Sequence, residues 1–317
     1  MAKLIFSNII GCFVFDGKHK IADSIIFENA QQYRNKSFYE KKLMQKHNPE
    51  FPNDADIFDI LLHFKSSKYF KHFHEKNLDI TKNSIRESVA SDELITQTIS
   101  CIEEINKTTN LLVKRLREWY SLYNPEISYI VEEHEKFVSL VINKPKMQIL
   151  KEWNISKNDS MGAEIKEKDV STILLLASQI KNLYQLKLNY ENYLSEILKE
   201  TCPNFMEVGG ASIAAKLLSH AGSLKKIAEM PASTIQVLGA EKALFRHMRN
   251  KKRNLAPKYG FLHEHPLIQK SKKELHGKIA RTLADKLCIA VKVDYFKGKF
   301  IGDKLKKYLI EKFNMPY

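Results

Sequence analysis

Apolar side chains in the middle of the chain recur three and four residues apart. Ile102, Ile105, Leu112, Leu116, Trp119 and Tyr123 follow this spacing, with Thr109 as the one break. That is the heptad seam of a long helix. Asn124-Pro125 marks a stop and restart, because proline suits a first helical turn. Ile127, Ile130, His134, Phe137 and Val141 then take up the pattern again. Lys144-Pro145 and the polar stretch Asn154 to Lys168 predict a loop. A second long seam returns through Ile173, Leu176, Ile180, Leu183, Tyr190, Leu194 and Ile197, with Lys187 as its polar intruder. Two long seams joined by a loop predict an antiparallel coiled-coil hairpin over residues 80–202. An isolated hairpin leaves apolar surface on its outer faces, which a second copy of the chain can cover.

The pattern differs on either side. Lys3 to Phe15 is rich in Ile, Phe and Val, Asp16-Gly17 supplies a turn, and a second apolar stretch runs from Ile21 to Phe27. This predicts two strands joined by a turn. An amphipathic stretch at Ile57 to Phe64 and aromatic-rich Tyr69 to Phe73 complete a small α/β domain over residues 1–79. Beyond Pro203, which ends the second arm, residues 203–317 read as all-α. Gly209-Gly210 is a helix entry, Ala211 to Ser219 a buried helix ending near Gly222, and Leu224 to Met230 a short helix stopped by Pro231. Leu275, Ile279, Leu283 and Leu287 stack at four-residue spacing as the core face of another helix, with Lys278, Arg281 and Lys292 elsewhere on it. Leu305, Tyr308, Leu309 and Phe313 make the last amphipathic helix. The fold class expected is mainly α.

Charge sharpens this division. The 317 residues carry a net charge of +14. From Thr201 to the end there are 23 Lys and Arg against 9 Asp and Glu, so the whole excess lies in the last third. A domain charged in this way suits a polyanion, with nucleic acid the leading candidate. The four cysteines are far apart and form no CxxC, so neither a zinc site nor a disulfide framework is expected. The HxH pairs His72/His74 and His263/His265 have no further ligands nearby in sequence. Ile9 to Phe15 lacks the flanks of a signal peptide, and no apolar run approaches the ~20 residues that span a bilayer. No membrane partner is expected.

Candidate chemistry concentrates in Pro231 to Arg253, PASTIQVLGAEKALFRHMRNKKR. From Glu241 onward, Leu244 and Met248 share one helix face, while Lys242, Arg246 and Arg249 make a second, basic stripe. A helix opening near Gly239-Ala240 is expected to offer free N–H groups to a phosphate. Lys251, Lys252 and Arg253 extend the positive charge into a loop that also holds Lys258. The bland alternative is a surface helix with solvated cations.

The segment Ser219 to Arg249 (SHAGSLKKIAEMPASTIQVLGAEKALFRHMR) resembles the signature of the Nop-domain family. So does Gly277 to Phe296 (GKIARTLADKLCIAVKVDYF), and Asn110 to Ile127 resembles the family's coiled-coil arm. Over the N-terminal region the similarity covers mainly the opening strands and turn. The resemblance implies a non-catalytic scaffold of box C/D ribonucleoproteins, which carry out guide-directed 2′-O-methylation of rRNA or tRNA. It implies guide RNA, a kink-turn-binding ribosomal-type protein and the methyltransferase fibrillarin as partners. S-adenosylmethionine would lie on fibrillarin, with no cofactor on this chain. Carried over by motif, Gly239, Ala240, Glu241, Lys242 and Arg246 face RNA, with Ser233, Thr234 and Gln236 beside them. The basic spacing and loop noted above add Arg249, Lys251, Lys252 and Arg253 to the expected RNA contacts. Ala243, Leu244 and Phe245 take core or protein-contact roles. Archaeal members dimerise through the arm, which implicates Leu176, Ile180 and Leu183. The absence of a lysine-rich tail points to an archaeal source and a cytoplasmic setting, nucleolar were the source eukaryotic. A splicing-factor-like kink-turn binder without a methyltransferase partner is the runner-up. An RNA methyltransferase or nuclease would need a Gly-rich cofactor loop or clustered carboxylates, and neither is present in the sequence.

Overall fold

A computed structural model describes residues 3–156 and 158–315, and it is mainly helical with one small sheet. The chain forms two compact units, Met1–Ala90 and Ser91–Tyr317.

The first unit opens with strands β1 (Leu4–Ser7), β2 (Gly11–Phe15) and β3 (Ile21–Ile26), paired antiparallel in that order. The expected first strand is therefore two. Asn8 reverses the chain inside the apolar run, its side-chain oxygen accepting from the N–H groups of Ile10 (2.8 Å) and Gly11 (3.3 Å). At the next hairpin the Asp16 carboxylate accepts from the N–H groups of Lys18 and Lys20, both at 2.9 Å. Helices α1 (Ala30–Arg34), α2 (Lys36–His47), α3 (Asp54–Phe64) and α4 (Ser67–Ser88) follow. A reciprocal capping box between Asn53 and Asp56 starts α3. Phe64 at its end enters a cluster with Phe6, Phe13, Phe15, Tyr69 and Phe73. A boundary at residue 79 would cut α4, so the domain limit lies later, at Val89-Ala90, where the backbone leaves helical geometry.

The second unit is built on α5 (Ser91–Tyr120) and α9 (Glu167–Thr201), the two long arms of the hairpin. Between them lie α6 (Pro125–Ile130), α7 (His134–Asn143) and α8 (Lys146–Glu152), so the expected loop contains a helix of its own. On α5 the buried series is Ile102, Ile105, Thr109, Val113, Leu116 and Tyr120. Past Thr109 it departs from the expected Leu112, Trp119 and Tyr123. Straight helices turn in 3.6 residues, so a strict 3.5-residue seam drifts off the face. On α9 the buried residues are Ile173, Ala177, Ile180, Leu194 and Leu198. Small Ala177 takes the place expected for Leu176 and lets the helices approach.

The arm has two cores. Its distal part buries Val113, Leu116, Ile127, Phe137, Val141, Ile173 and Ile180 together, with α7 lying along α9. Its base, through Ile95, Ile99, Ile102, Leu194 and Leu198, joins the core of the last third. Residues 80–202 are therefore not a separate domain. Around that shared core stand α10 (Pro203–Gly209), α11 (Ala211–Ala221), α12 (Leu224–Glu229), α13 (Ala232–Val237) and α14 (Glu241–Arg249). Beyond a 3-10 turn at Phe261–Glu264 come α15 (Pro266–Gln269), α16 (His276–Tyr295) and α17 (Gly302–Phe313). The central helix is α16, which buries Ile279, Leu283 and Leu287 against α10, α12 and α13. Leu275 stands just before it and is exposed. Buried Asp294 near its end accepts from the N–H groups of Asn204 and Phe205 at 3.2 and 2.8 Å, closing the start of α10.

Candidate nucleic-acid interface

Two glycines shape the turn between α13 and α14. Gly239 has φ +87°, in the left-handed region, and a Cβ there would meet the Phe261 ring at 2.7 Å. A Cβ on Gly260 would overlap the Leu238 carbonyl. With both side chains absent, residues 258–261 run against residues 236–238. Gly260 N–H donates to Gln236 O (3.0 Å), Phe261 N–H to Leu238 O (2.8 Å), and the Gln236 side-chain amide to Lys258 O (2.6 Å). Gln236 thus staples two segments with the amide expected to face RNA. Ser233 and Thr234, on α13, are exposed.

Helix α14 starts at Glu241, one step after the expected opening. Its first turn is not free for an anion. The Glu241 carboxylate accepts from Gly239 N–H (2.7 Å) and pairs with His220 Nε2 (2.9 Å) from α11. Burial pushes its pKa up, but the N–H groups of Gly239 and Glu241 and the nearby His220 outweigh this and hold it below the ordinary value. A phosphate at this helix start would meet a carboxylate. Glu241 is therefore a clamp that seats α14 on α11, and neither Gly239 nor Ala240 offers the free N–H expected of it.

The cations remain free to act. Lys242, Arg246, Arg249, Lys251, Lys252 and Arg253 are all exposed, and among the described residues none pairs with a carboxylate. Arg246 Nε reaches only back to Lys242 O (3.3 Å). Past the helix the basic turn is tied down. Asn254 donates to Arg246 O and Asn250 O, and His247 Nδ1 lies 2.7 Å from Asn254 O, so the imidazole donates there. The structure thus brings six cations onto one short helix and the turn after it.

No residue of α14 is buried. The face that Leu244 and Met248 share is not a buried one: Leu244 is half-buried, and Met248 is 60% exposed. Phe245 is 65% exposed and Ala243 half-buried. Helix α14 therefore presents apolar and basic side chains on its exposed surface.

Two further surfaces bear on the expectations. In the arm, Ile180 is fully buried and Leu176 and Leu183 are half-buried, so these three do not form a free face. Of the exposed apolar residues of α9, Leu175, Leu186 and Tyr193, spaced eleven and seven apart, share one side, and Leu188 lies on another. In the first unit, Phe58, Leu61 and Leu62 project together from α3, all exposed. Sequence reasoning singled out no docking residues there, although the spacing three and four apart was available. His265, half of an expected HxH pair, is buried; its Nδ1 accepts from Leu267 N–H and its Nε2 donates to Val208 O. His263 points outward, so the pair does not converge. No described helix is long and apolar enough to cross a membrane.

Comparison with known proteins places this geometry in context. A family model described as "Nop: snoRNA binding domain, fibrillarin" matches residues 101–315. An uncharacterized NOP5 family protein of Methanocaldococcus jannaschii is 39% identical over 262 residues, covering 78% of this chain and 62% of the relative. Nucleolar protein 56 of Schizosaccharomyces pombe is 34% identical, covering 71% and 49%. Nucleolar protein 58 of Sclerotinia sclerotiorum is 36% identical, covering 64% and 38%. The chain spans less than two thirds of the length of each. A solved structure described as a fibrillarin/Nop5p complex covers 98% of both chains at 23% identity, with a TM-score of 0.44.

Proposed function

The chain belongs to the Nop family, and from that premise we propose that it is a non-catalytic RNA-binding scaffold of a box C/D ribonucleoprotein. The observation that carries this reading is α14, nine residues long, with no buried side chain and with exposed cations that, among the described residues, pair with no carboxylate. Lys242, Arg246 and Arg249 contact phosphates of the guide RNA. Ala243, Leu244, Phe245 and Met248 meet the kink-turn-binding protein already seated on it. The three exposed apolar residues of α3 dock the methyltransferase fibrillarin, which brings the S-adenosylmethionine. Two copies pair through the outward face of α9, so that each particle holds two methyltransferases over its target nucleotides. The setting is the cytoplasm of an archaeal cell.

The test is capture of the tagged chain from its own cells, with RNA sequencing and protein identification. Box C/D guide RNAs, a kink-turn-binding protein and a fibrillarin are expected together. Phe58→Asp with Leu61→Asp is expected to lose fibrillarin and keep the RNA. Recovery of spliceosomal RNA without a methyltransferase would overturn the proposal.

A further inference from the structure

Beside the Gly239-Ala240 turn lies an open cleft of about 400 Å³, lined by those two residues and by Tyr259, Gly260, Phe261, His263 and Glu264. Its wall is aromatic. The His263 ring stacks on the Tyr259 ring with centroids 5.0 Å apart and planes inclined by 28°. Both rings are held by their edges. His276 Nε2 lies 3.1 Å from the Ser271 carbonyl and must carry its proton there, which leaves Nδ1 to accept from the Tyr259 hydroxyl at 3.2 Å. On the other ring, the Gln269 side-chain amide donates to the His263 carbonyl (2.7 Å) and reaches His263 Nδ1 (3.2 Å). Nδ1 accepts, so the proton sits on Nε2 at the free edge. The hydroxyl of Tyr259 is thereby spent internally, and exposed His263 offers a flat face with one donor at its rim.

We propose that the Tyr259–His263 stack is a platform for one unpaired nucleobase, an inference that rests on the RNA-binding reading above. Three features favour a base over other flat groups. The platform is built of two pre-oriented rings, and sequence-tolerant recognition of single-stranded RNA uses such faces. It adjoins the turn that leads into α14, whose cations take the flanking phosphates. The one acid lining the cleft, Glu264, is tied to Lys216 at 2.7 and 2.8 Å and so repels a phosphate less. The glycine-dependent pairing of residues 236–238 with 258–261 then has a purpose beyond packing. It fixes the base site and the phosphate site in one register.

The experiment uses the full chain and a kink-turn RNA preassembled with its kink-turn-binding protein. Unpaired purines are replaced one at a time by 2-aminopurine, whose fluorescence falls on stacking. Wild type should quench one position. His263→Ala should abolish that quench and weaken binding roughly 5- to 150-fold, whereas His263→Phe should retain both. Thermal unfolding of each variant should match wild type, since His263 is exposed. His263→Ala binding within twofold of wild type, with no position quenched by either protein, overturns the platform. If Lys242→Ala still weakens binding in that case, the RNA reading survives; if it does not, that reading falls as well. Loss of affinity for the kink-turn-binding protein in the absence of RNA would make the stack a protein-docking surface and likewise overturn the proposal.

Discussion

Helices α14 and α16 belong to the same unit, and both carry apolar residues at helical spacing. They differ in what covers them. Helix α16 buries nine of its side chains, among them Ile279, Leu283 and Leu287, while α14 buries none. Spacing shows that a helix has a face, but not whether that face meets the chain's own core or a partner. Composition separates the two. The apolar positions of α16 continue around into Ala280, Ala284 and Ala290, small residues that let neighbouring helices approach. On α14 the flanks are Lys242, Arg246 and Arg249, which would bring three charges into any core that closed over Leu244 and Met248.

The largest expected effect breaks the comparison through stability. Leu287 is fully buried, in contact with Gly209 of α10. Leu287→Ala should cost about 2–5 kcal/mol, the range for a leucine deleted from a packed core. Met248→Ala should change stability by less than about 0.5 kcal/mol, as exposed positions do. Urea titrations of both variants decide the matter. A large loss in Met248→Ala would mean that α14 is part of the core after all.

The same contrast explains what was legible in the sequence. Helices α11, α12, α16 and α17 follow from periodicity and from stops such as Gly222 and Pro231, because there the hydrophobic effect and backbone sterics agree. The short helices α10, α13 and α15, by contrast, span too few residues to show a period. The strand count failed at Asn8, where one side-chain oxygen reverses an otherwise unbroken apolar run. In the arm, apolarity alone favoured Leu176 over Ala177, yet close helix approach selects the small residue. The cations of α14 were legible as a stripe. The roles of Glu241 and Gln236 were not, since their partners His220 and Lys258 lie 21 and 22 residues away in sequence. Likewise, the Tyr259–His263 platform depends on folding, although PKYGFLH does interleave two aromatics with a histidine.

Acid separates core from surface in a second way. His265 is buried, and this burial holds its pKa down to about 4, with the Val208 carbonyl opposing the shift and Lys306 adding to it. An unfolded histidine titrates near 6.5, so between about pH 6.5 and 4 the unfolded chain binds the extra proton. The stabilisation is whole above about pH 6.5 and is lost as the pH falls toward 4, to a total on the order of 3 kcal/mol. Asp294 acts the other way over its own range, because burial raises its pKa against the hydrogen bonds from Phe205 and Asn204. His265→Gln should therefore flatten the fall in stability between pH 6.5 and 4.5. An unchanged pH profile of the melting temperature would remove His265 as the cause.

The smallest expected effect tests the displayed face of α14 itself. Lys242 and Arg246 are exposed and unneutralised, so each can release counterions when it meets a phosphate. Removing one phosphate-binding cation should lower the slope of log affinity against log salt by about 0.9 for a duplex-like site and about 0.7 for a single strand. Lys242→Ala and Arg246→Ala should both weaken binding to the preassembled kink-turn RNA and flatten its salt dependence. Their melting temperatures should not move, because neither side chain is buried. Lys181 on α9, also exposed but far along the sequence in the near-neutral arm, is the matched control and should leave the slope unchanged. Glu241→Gln adds a discriminating case. It removes a negative charge beside the stripe, so simple electrostatics would strengthen binding. The same substitution weakens the clamp to His220 and Gly239, which would loosen the seating of α14 and weaken binding instead. Titrations at four salt concentrations resolve the two, because a charge effect fades as salt rises while a seating effect persists. If Lys242→Ala and Arg246→Ala both keep wild-type affinity and slope, the stripe is a solvated face, and α14 differs from α16 only in being uncovered.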